Sequence, residues 1–288
     1  MAKKTLLKML AEKTVPIGIQ CFTGDDKLIE VLGKTGFDYV WLDTEHSALN
    51  PRALEQTMRT CEAAGLIPIV RIPDPQDGTS ARRALEAGAE AVIIPMVRSA
   101  ADVHGIIDAL KFPPEGKRGL CPGLRVPGYS VTEFEPYMRE NNANLYVIPM
   151  IETIEGLEHV DEICAIEQVK ALVFASGELS FAMGEGAAAD QSPKIQDAYR
   201  TVRAAAQQHN VALIGGPILN PTRESCAKAL DDGISILCIG LDTLAFRLQC
   251  EATVAAANAA VAASPTWNRP PAPPSGFPRP PSFADHPA

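Results

Sequence analysis

The chain has 288 residues, 46% hydrophobic and 21% charged, the balance of a globule with a large core. Its formal net charge is −9 and it carries no run of Lys and Arg, so nucleic acid is not an expected partner. Its apolar runs are strand-length, far short of the roughly 18 residues of a membrane span. Its seven cysteines are odd in number and include no Cys-x-x-Cys, which argues against a disulfide framework or a zinc–thiolate site and for a reducing cytoplasm.

In chain order, Met1–Leu10 reads as an amphipathic first helix without the long apolar stretch or cleavage site of a signal peptide. Eight short apolar runs follow: Pro16–Phe22, Tyr39–Leu42, Ile67–Ile72, Ala91–Val97, Leu145–Ile151, Ala171–Ala175, Ala212–Pro217 and Ile236–Leu241. They are nearly continuous in Val, Ile, Leu and Ala, as strands covered on both faces are. Between them lie helical stretches. Asp26–Thr35 is one; Pro51–Ala64 is capped by Asn50 with Pro51 at the first helical position; Ser80–Ala87 ends at Gly88; Ile195–Gln208 and Pro221–Leu230, the latter behind Asn220, complete the set. Eight strand–helix alternations predict a single-domain (β/α)₈ TIM barrel over residues 1–263. An open doubly wound sheet is the other topology considered, but no Gly-x-Gly-x-x-Gly follows the first strand. The Gly- and Pro-rich stretch from Phe112 to Tyr129 predicts a shaped loop over the barrel mouth. From Ser264 the composition turns proline-rich, which predicts a disordered tail over residues 264–288.

Barrel enzymes place their chemistry at the carboxyl ends of the strands. Here those ends carry Gln20, Asp43 and His46, Arg71, Glu152, Glu178 and Asp242. Glu152 follows a seven-residue apolar strand, where an ionised carboxylate is costly unless paired or bound to metal. Glu178 lies just beyond the next strand, within reach of the same hard cation, Mg²⁺ or Mn²⁺. A structural ion pair for Glu152, and a first-turn acid for Glu178, are the alternatives. Asp43-Thr-Glu-His46 sets an acid three residues before a histidine, so Asp43 is expected to orient His46 as a general base; a plain surface turn is the alternative. Arg71 needs an anionic partner, either a substrate carboxylate or enolate oxygen, or an internal salt bridge with Asp43 or Glu45. Arg118, in the predicted mouth loop, is a further candidate substrate contact.

Trp-Leu-Asp43-Thr-Glu45-His46-Ser, Val-Arg71-Ile-Pro, Glu86-Ala-Gly88-Ala-Glu-Ala-Val-Ile-Ile-Pro95-Met-Val, Pro113-Pro-Glu-Gly-Lys-Arg118-Gly and Met150-Ile-Glu152-Thr occur in this order. Together they resemble the HpcH/HpaI class II aldolase family, over roughly Thr5 to Val254. The resemblance implies a (β/α)₈ barrel in a homo-oligomer, a trimer or hexamer. It also implies a divalent cation (Mg²⁺ or Mn²⁺, with Co²⁺ the further option) on Glu152 and Glu178, chelated by the carboxylate and keto oxygens of a 2-oxo acid. Arg71 would stabilise a pyruvate enolate. His46, backed by Asp43, would carry the proton, and the backbone at Ser176 and Gly177 would meet the substrate carboxylate. The reaction would be retro-aldol cleavage, or aldol addition, of a 4-hydroxy-2-oxo acid. Two positions depart from the family pattern: Glu178 stands where Asp is usual, and Met150 where Gln is usual. Branches resembling macrophomate synthase or a siderophore-type citrate synthase use the same site on oxaloacetate, so an oxaloacetate-using synthase or decarboxylase is a second reading. A barrel that binds without catalysing is a third.

Overall fold

The computed structural model describes residues 4–186 and 192–269. Eight strands alternate with helices: β1 (Ile17–Cys21), β2 (Tyr39–Asp43), β3 (Ile67–Arg71), β4 (Ala91–Ile94), β5 (Val147–Ile151), β6 (Ala171–Phe174), β7 (Ala212–Gly215) and β8 (Leu237–Leu241). The helices are α1 (Leu6–Ala11), α2 (Asp26–Thr35), α3 (Pro51–Ala64), α4 (Gly78–Ala87), α5 (Ala100–Leu110), α6 (Phe134–Asn144), α7 (Ile154–Glu158), α8 (Val160–Cys164), α9 (Ser176–Ala182), α10 (Pro193–Gln208), α11 (Arg223–Asp231) and α12 (Asp242–Ala262). The strand order is β7-β6-β5-β4-β3-β2-β1-β8, parallel throughout. Between β7 and β8 only isolated bridges occur, Ile214 with Ile236 and Ile218 with Ile239. The result is the nearly closed (β/α)₈ barrel that the alternation predicts.

The two faces of each strand account for the core. Val40, Leu42, Val70, Val92, Ile94, Val147, Ile151, Leu172 and Phe174 pack outward against the helices. Tyr39, Trp41, Ile67, Ile69, Ala91, Ile93, Ile148, Met150 and Val173 fill the barrel interior. Gly18 is needed at the inner face, since a Cβ there would lie 2.3 Å from the Tyr39 ring. At the amino-terminal end, α1 adds Leu6 and Met9 to the interior cluster, and the Leu6 N–H donates to Glu90. The period of two then decides what reaches the mouth. Two residues on from Trp41, Ile69 and Met150 come Asp43, Arg71 and Glu152, so these charged side chains continue the inward row at its carboxyl end.

Several local expectations shift. The fourth strand stops at Ile94, not Val97, because Pro95 has no N–H to donate and Met96 turns left-handed with φ 49°. The helix expected behind Asn220 starts later, behind Thr222, whose side chain and that of Ser225 form a reciprocal cap. The Gly- and Pro-rich loop does not cover the mouth. Helix α5 carries the chain back along the barrel, so residues 111–133 join α5 to α6 ahead of β5. There Arg125 donates to the carbonyl of Ala87, at the end of α4.

The chain divides into two units, Met1–Asp242 and Thr243–Ala288, and the composition change at Ser264 falls inside the second. That unit holds α12 from Thr243 on, with Phe246, Leu248 and Val254 exposed. After the helix, Ser264 Oγ accepts the N–H groups of Thr266 and Trp267. The proline-rich residues 270–288 lie outside the described residues. No helix among the described residues is long and apolar enough to cross a membrane, and all seven cysteines are free.

Candidate active site

The mouth is organised around Asp43, whose side chain is fully buried at the end of β2. Its Oδ1 accepts the N–H groups of Glu45 (2.8 Å) and His46 (3.1 Å), fixing the turn that follows. Its Oδ2 accepts from Gln20 Nε2 at 3.3 Å and from the Arg71 guanidinium. Arg71 is therefore held twice, by Asp43 and, through Nη1, by Glu45 Oε2 at 3.0 Å. The Trp41 ring lies beneath it, 5.7 Å from the guanidinium carbon. The internal salt bridges weighed as the alternative for Arg71 both exist. They also fix the orientation of its planar donor fork at the barrel mouth.

A second group of charges faces this clamp. Glu152 is 2% exposed, and its Oε1 accepts the Met96 N–H at 2.5 Å. Its Oε2 is buried and receives no donor among the described residues. Burial, and then the facing carboxylate of Glu178, push the Glu152 carboxyl up to about 9, against the opposing Met96 N–H. Two carboxylates brought together, one of them buried, are costly unless a proton or a cation lies between them. Glu45 is the third acid of the set. Burial raises its pKa, the Arg71 and His46 charges oppose that, and Glu178 and Asp43 add to it. His46, with 54% of its side chain exposed, sets Nε2 3.7 Å from Glu45 Oε2.

The donor set suits a hard divalent cation bound by two carboxylates, with solvent or substrate oxygens completing its shell. The orphaned Glu152 Oε2 beside Glu178 is the observation that favours it. Among the described residues no three His, Cys, Asp or Glu side chains converge closely enough to hold a metal alone, so the ligand would have to contribute.

Two expectations are corrected. Asp43 does not back the imidazole: its carboxylate is taken up by the main chain of Glu45 and His46, by Gln20 and by Arg71, and the acid beside the ring is Glu45. Arg118 does not line the mouth. It is buried in the outer layer, stacked 4.5 Å over Phe112, bonded to Asn141 and Tyr137, and 3.7 Å from Glu86. Its loop precedes β5, on the side of the barrel where strands begin. Ser176 and Gly177 open α9 directly after β6, Ser176 half-buried and Gly177 exposed. The sequence marks Gln20 only as a polar strand end and Glu45 only as a possible partner of Arg71, and it does not mark Met96. Glu45 carries a signal, an acid at a strand end between Asp43 and His46; Met96 carries none, because a left-handed methionine leaves no trace in residue identity.

Residues 21–247 match the profile of the HpcH/HpaI aldolase/citrate lyase family. The chain is 30% identical to the 2-dehydro-3,6-dideoxy-6-sulfogluconate aldolase of Pseudomonas putida over 237 residues, 81% of this chain and 89% of that protein. It is 28% identical to the 5-keto-4-deoxy-D-glucarate aldolase of Klebsiella pneumoniae subsp. pneumoniae, covering 83% and 90%. Among solved structures it resembles the citrate synthase SbnG, with a TM-score of 0.78 and 26% identity over 89% of this chain and 98% of that one.

Proposed function

The chain belongs to the HpcH/HpaI aldolase/citrate lyase family and is an aldolase-type carbon–carbon lyase; from that premise we propose that it cleaves, or forms, a 4-hydroxy-2-oxo acid through a pyruvate enolate with the help of a divalent cation. The observation that carries this reading is the Glu152–Glu178 pair, with an unpartnered buried oxygen, facing a guanidinium already fixed by two other acids.

A cation held by Glu152 and Glu178 would supply the Lewis acid that polarises the 2-oxo group. The chain's own residues do the rest. Arg71 offers its remaining donor capacity to the oxygen that gains charge as the enolate develops, and it needs no reorganisation because Asp43 and Glu45 already hold it. His46 accepts the proton of the 4-hydroxyl. As that O–H bond breaks, its electrons form the aldehyde carbonyl, the C3–C4 bond breaks, and its pair passes into the enolate. Protonation at C3 then yields pyruvate. The backbone at half-buried Ser176 and exposed Gly177 would meet the substrate carboxylate, and Glu178 reaches one methylene farther than the aspartate usual in the family. Purified protein with Mg²⁺ or Mn²⁺ is expected to release pyruvate from a panel of 4-hydroxy-2-oxo acids, with EDTA and Glu152→Gln each stopping it. No pyruvate from any member of the panel removes the proposal.

The likeness to a citrate synthase at 26% identity supports a second reading, an oxaloacetate-using synthase or decarboxylase at the same groups. Mass spectrometry of products from oxaloacetate, with and without acetyl-CoA, separates the two. The aldolase names of the relatives weigh against the barrel that binds without catalysing.

A further inference from the structure

Met96 is one of four non-glycine residues with positive φ among those described, at 49°. Such a conformation is strained for a side chain with a Cβ, and it persists only where the surroundings determine it. Burial of the side chain does not determine it here, because Met96 is 45% exposed. The backbone on both sides does. Its N–H donates to Glu152 Oε1 at 2.5 Å. One residue on, the Val97 carbonyl accepts from Thr153 Oγ1 at 2.7 Å, and the same oxygen of Thr153 accepts the Gly156 N–H. Gly156 is required for that approach, since a Cβ there would meet the Val97 carbonyl oxygen at 2.3 Å. Pro95, before Met96, cannot extend the β4 ladder. The end of β4 is thus bolted to the start of α7, and the turn is bent so that one amide points at one carboxylate oxygen.

We propose that Met96 is a positioning residue whose left-handed backbone, rather than its side chain, aims the Glu152 carboxylate so that its second oxygen is left free toward Glu178. This rests on the reading of Glu152 as a cation ligand. It predicts an order of effects that side-chain loss alone would not produce. Met96→Gly keeps the N–H and adopts positive φ freely, so Mn²⁺ affinity stays within about threefold of the parent. Met96→Val disfavours that φ and carries the amide away from Oε1; losing a hydrogen bond to a charged group costs about tenfold or more in Mn²⁺ affinity.

Mn²⁺ binding to the full chain is read from the free-ion electron paramagnetic resonance signal, beside Glu152→Gln as reference. Loss with Glu152→Gln and Met96→Val, and retention with Met96→Gly, supports the proposal. Equal affinity of Met96→Val and the parent, where Glu152→Gln binds no Mn²⁺, overturns the Met96 inference alone. Unchanged affinity in Glu152→Gln overturns the ligand reading and this inference with it. If Met96→Val does not fold, ¹⁵N-methionine labelling decides, since seven methionines give a simple spectrum. The Met96 amide, identified by its disappearance in Met96→Gly, is expected downfield and to move upfield in Glu152→Gln; an amide that does not move overturns the proposal.

Discussion

Replacing Asp43 by alanine tests the clamp on Arg71 most severely. The substitution removes acceptors for two main-chain N–H groups, for Gln20 and for the guanidinium, all from a fully buried position. Arg71, 5% exposed along its side chain, keeps Glu45 as its remaining carboxylate. Removing one partner of a buried ion pair costs about 3–5 kcal/mol, a large share of the roughly 5–15 kcal/mol that holds a domain folded. For a barrel of this size, about 2–4 °C of melting temperature is lost per kcal/mol, which places the expected fall at about 6–20 °C. Asp43→Asn leaves Oδ1 for the turn but loses the charge and sets an NH2 where Oδ2 accepts from Gln20 and Arg71, so it should fall between the two proteins. Urea denaturation followed by circular dichroism reads all three. A loss below about 1 kcal/mol for Asp43→Ala would mean that Glu45 holds the guanidinium unaided and that Asp43 does not clamp it.

Glu152 sets a pH signature. Its folded value, about 9, stands above the ordinary 4.5, so its contribution to stability is present below pH about 4.5 and is lost as pH rises through about 9. In EDTA the parent should lose stability across that window relative to Glu152→Gln; parallel curves for the two proteins would remove the carboxylate as the cause. Arg118→Leu should cost about 2–4 kcal/mol through the lost stacking and hydrogen bonds, while kcat/KM of the folded protein stays within about threefold of the parent. A hundredfold fall in kcat/KM at unchanged stability would make Arg118 a substrate contact after all. Trp41 is buried against Arg71 and Trp267 is exposed. In Trp267→Phe the emission should therefore come from Trp41 alone, blue-shifted, and should change on titration with pyruvate and Mn²⁺. A flat titration in protein that turns over would separate Arg71 from the bound anion.

Strands and helices were legible in the sequence because burial on both faces writes itself into unbroken Val, Ile and Leu, and because Asn50, Pro51 and Gly88 punctuate helix ends. Asp43, Arg71 and Glu152 were legible for the same reason, as charges at the ends of apolar runs. Which charge holds which was not. Proximity in sequence pairs Asp43 with His46, yet in a tight turn its carboxylate reaches the nearby amides before it can reach the ring. The loop of Arg118 follows a strand in sequence, which points to the mouth, but α5 carries the chain back to the strands' starting side first. The Asp43–Arg71 register across β2 and β3 is a property of the paired sheet, and no single segment contains it.

The joint beside β8 has a mechanical consequence. The β1–β8 ladder shifts register between Gly18 and Gln20, and β7 meets β8 only through isolated bridges. Beyond its pairing with β1, the end of β8 is also tied by a side chain: Asp242 accepts the N–H groups of Phe22 and Thr23 and the Thr23 hydroxyl. A ring of staves joined evenly fails nowhere in particular; this ring has one weak joint and a latch beside it. Opening fluctuations of the barrel are therefore expected to begin between β7 and β8, with the backbone amides of β8 exchanging before those of β2 and β3, while Asp43, Arg71 and Glu152 stand on β2, on β3 and just after β5, away from that joint.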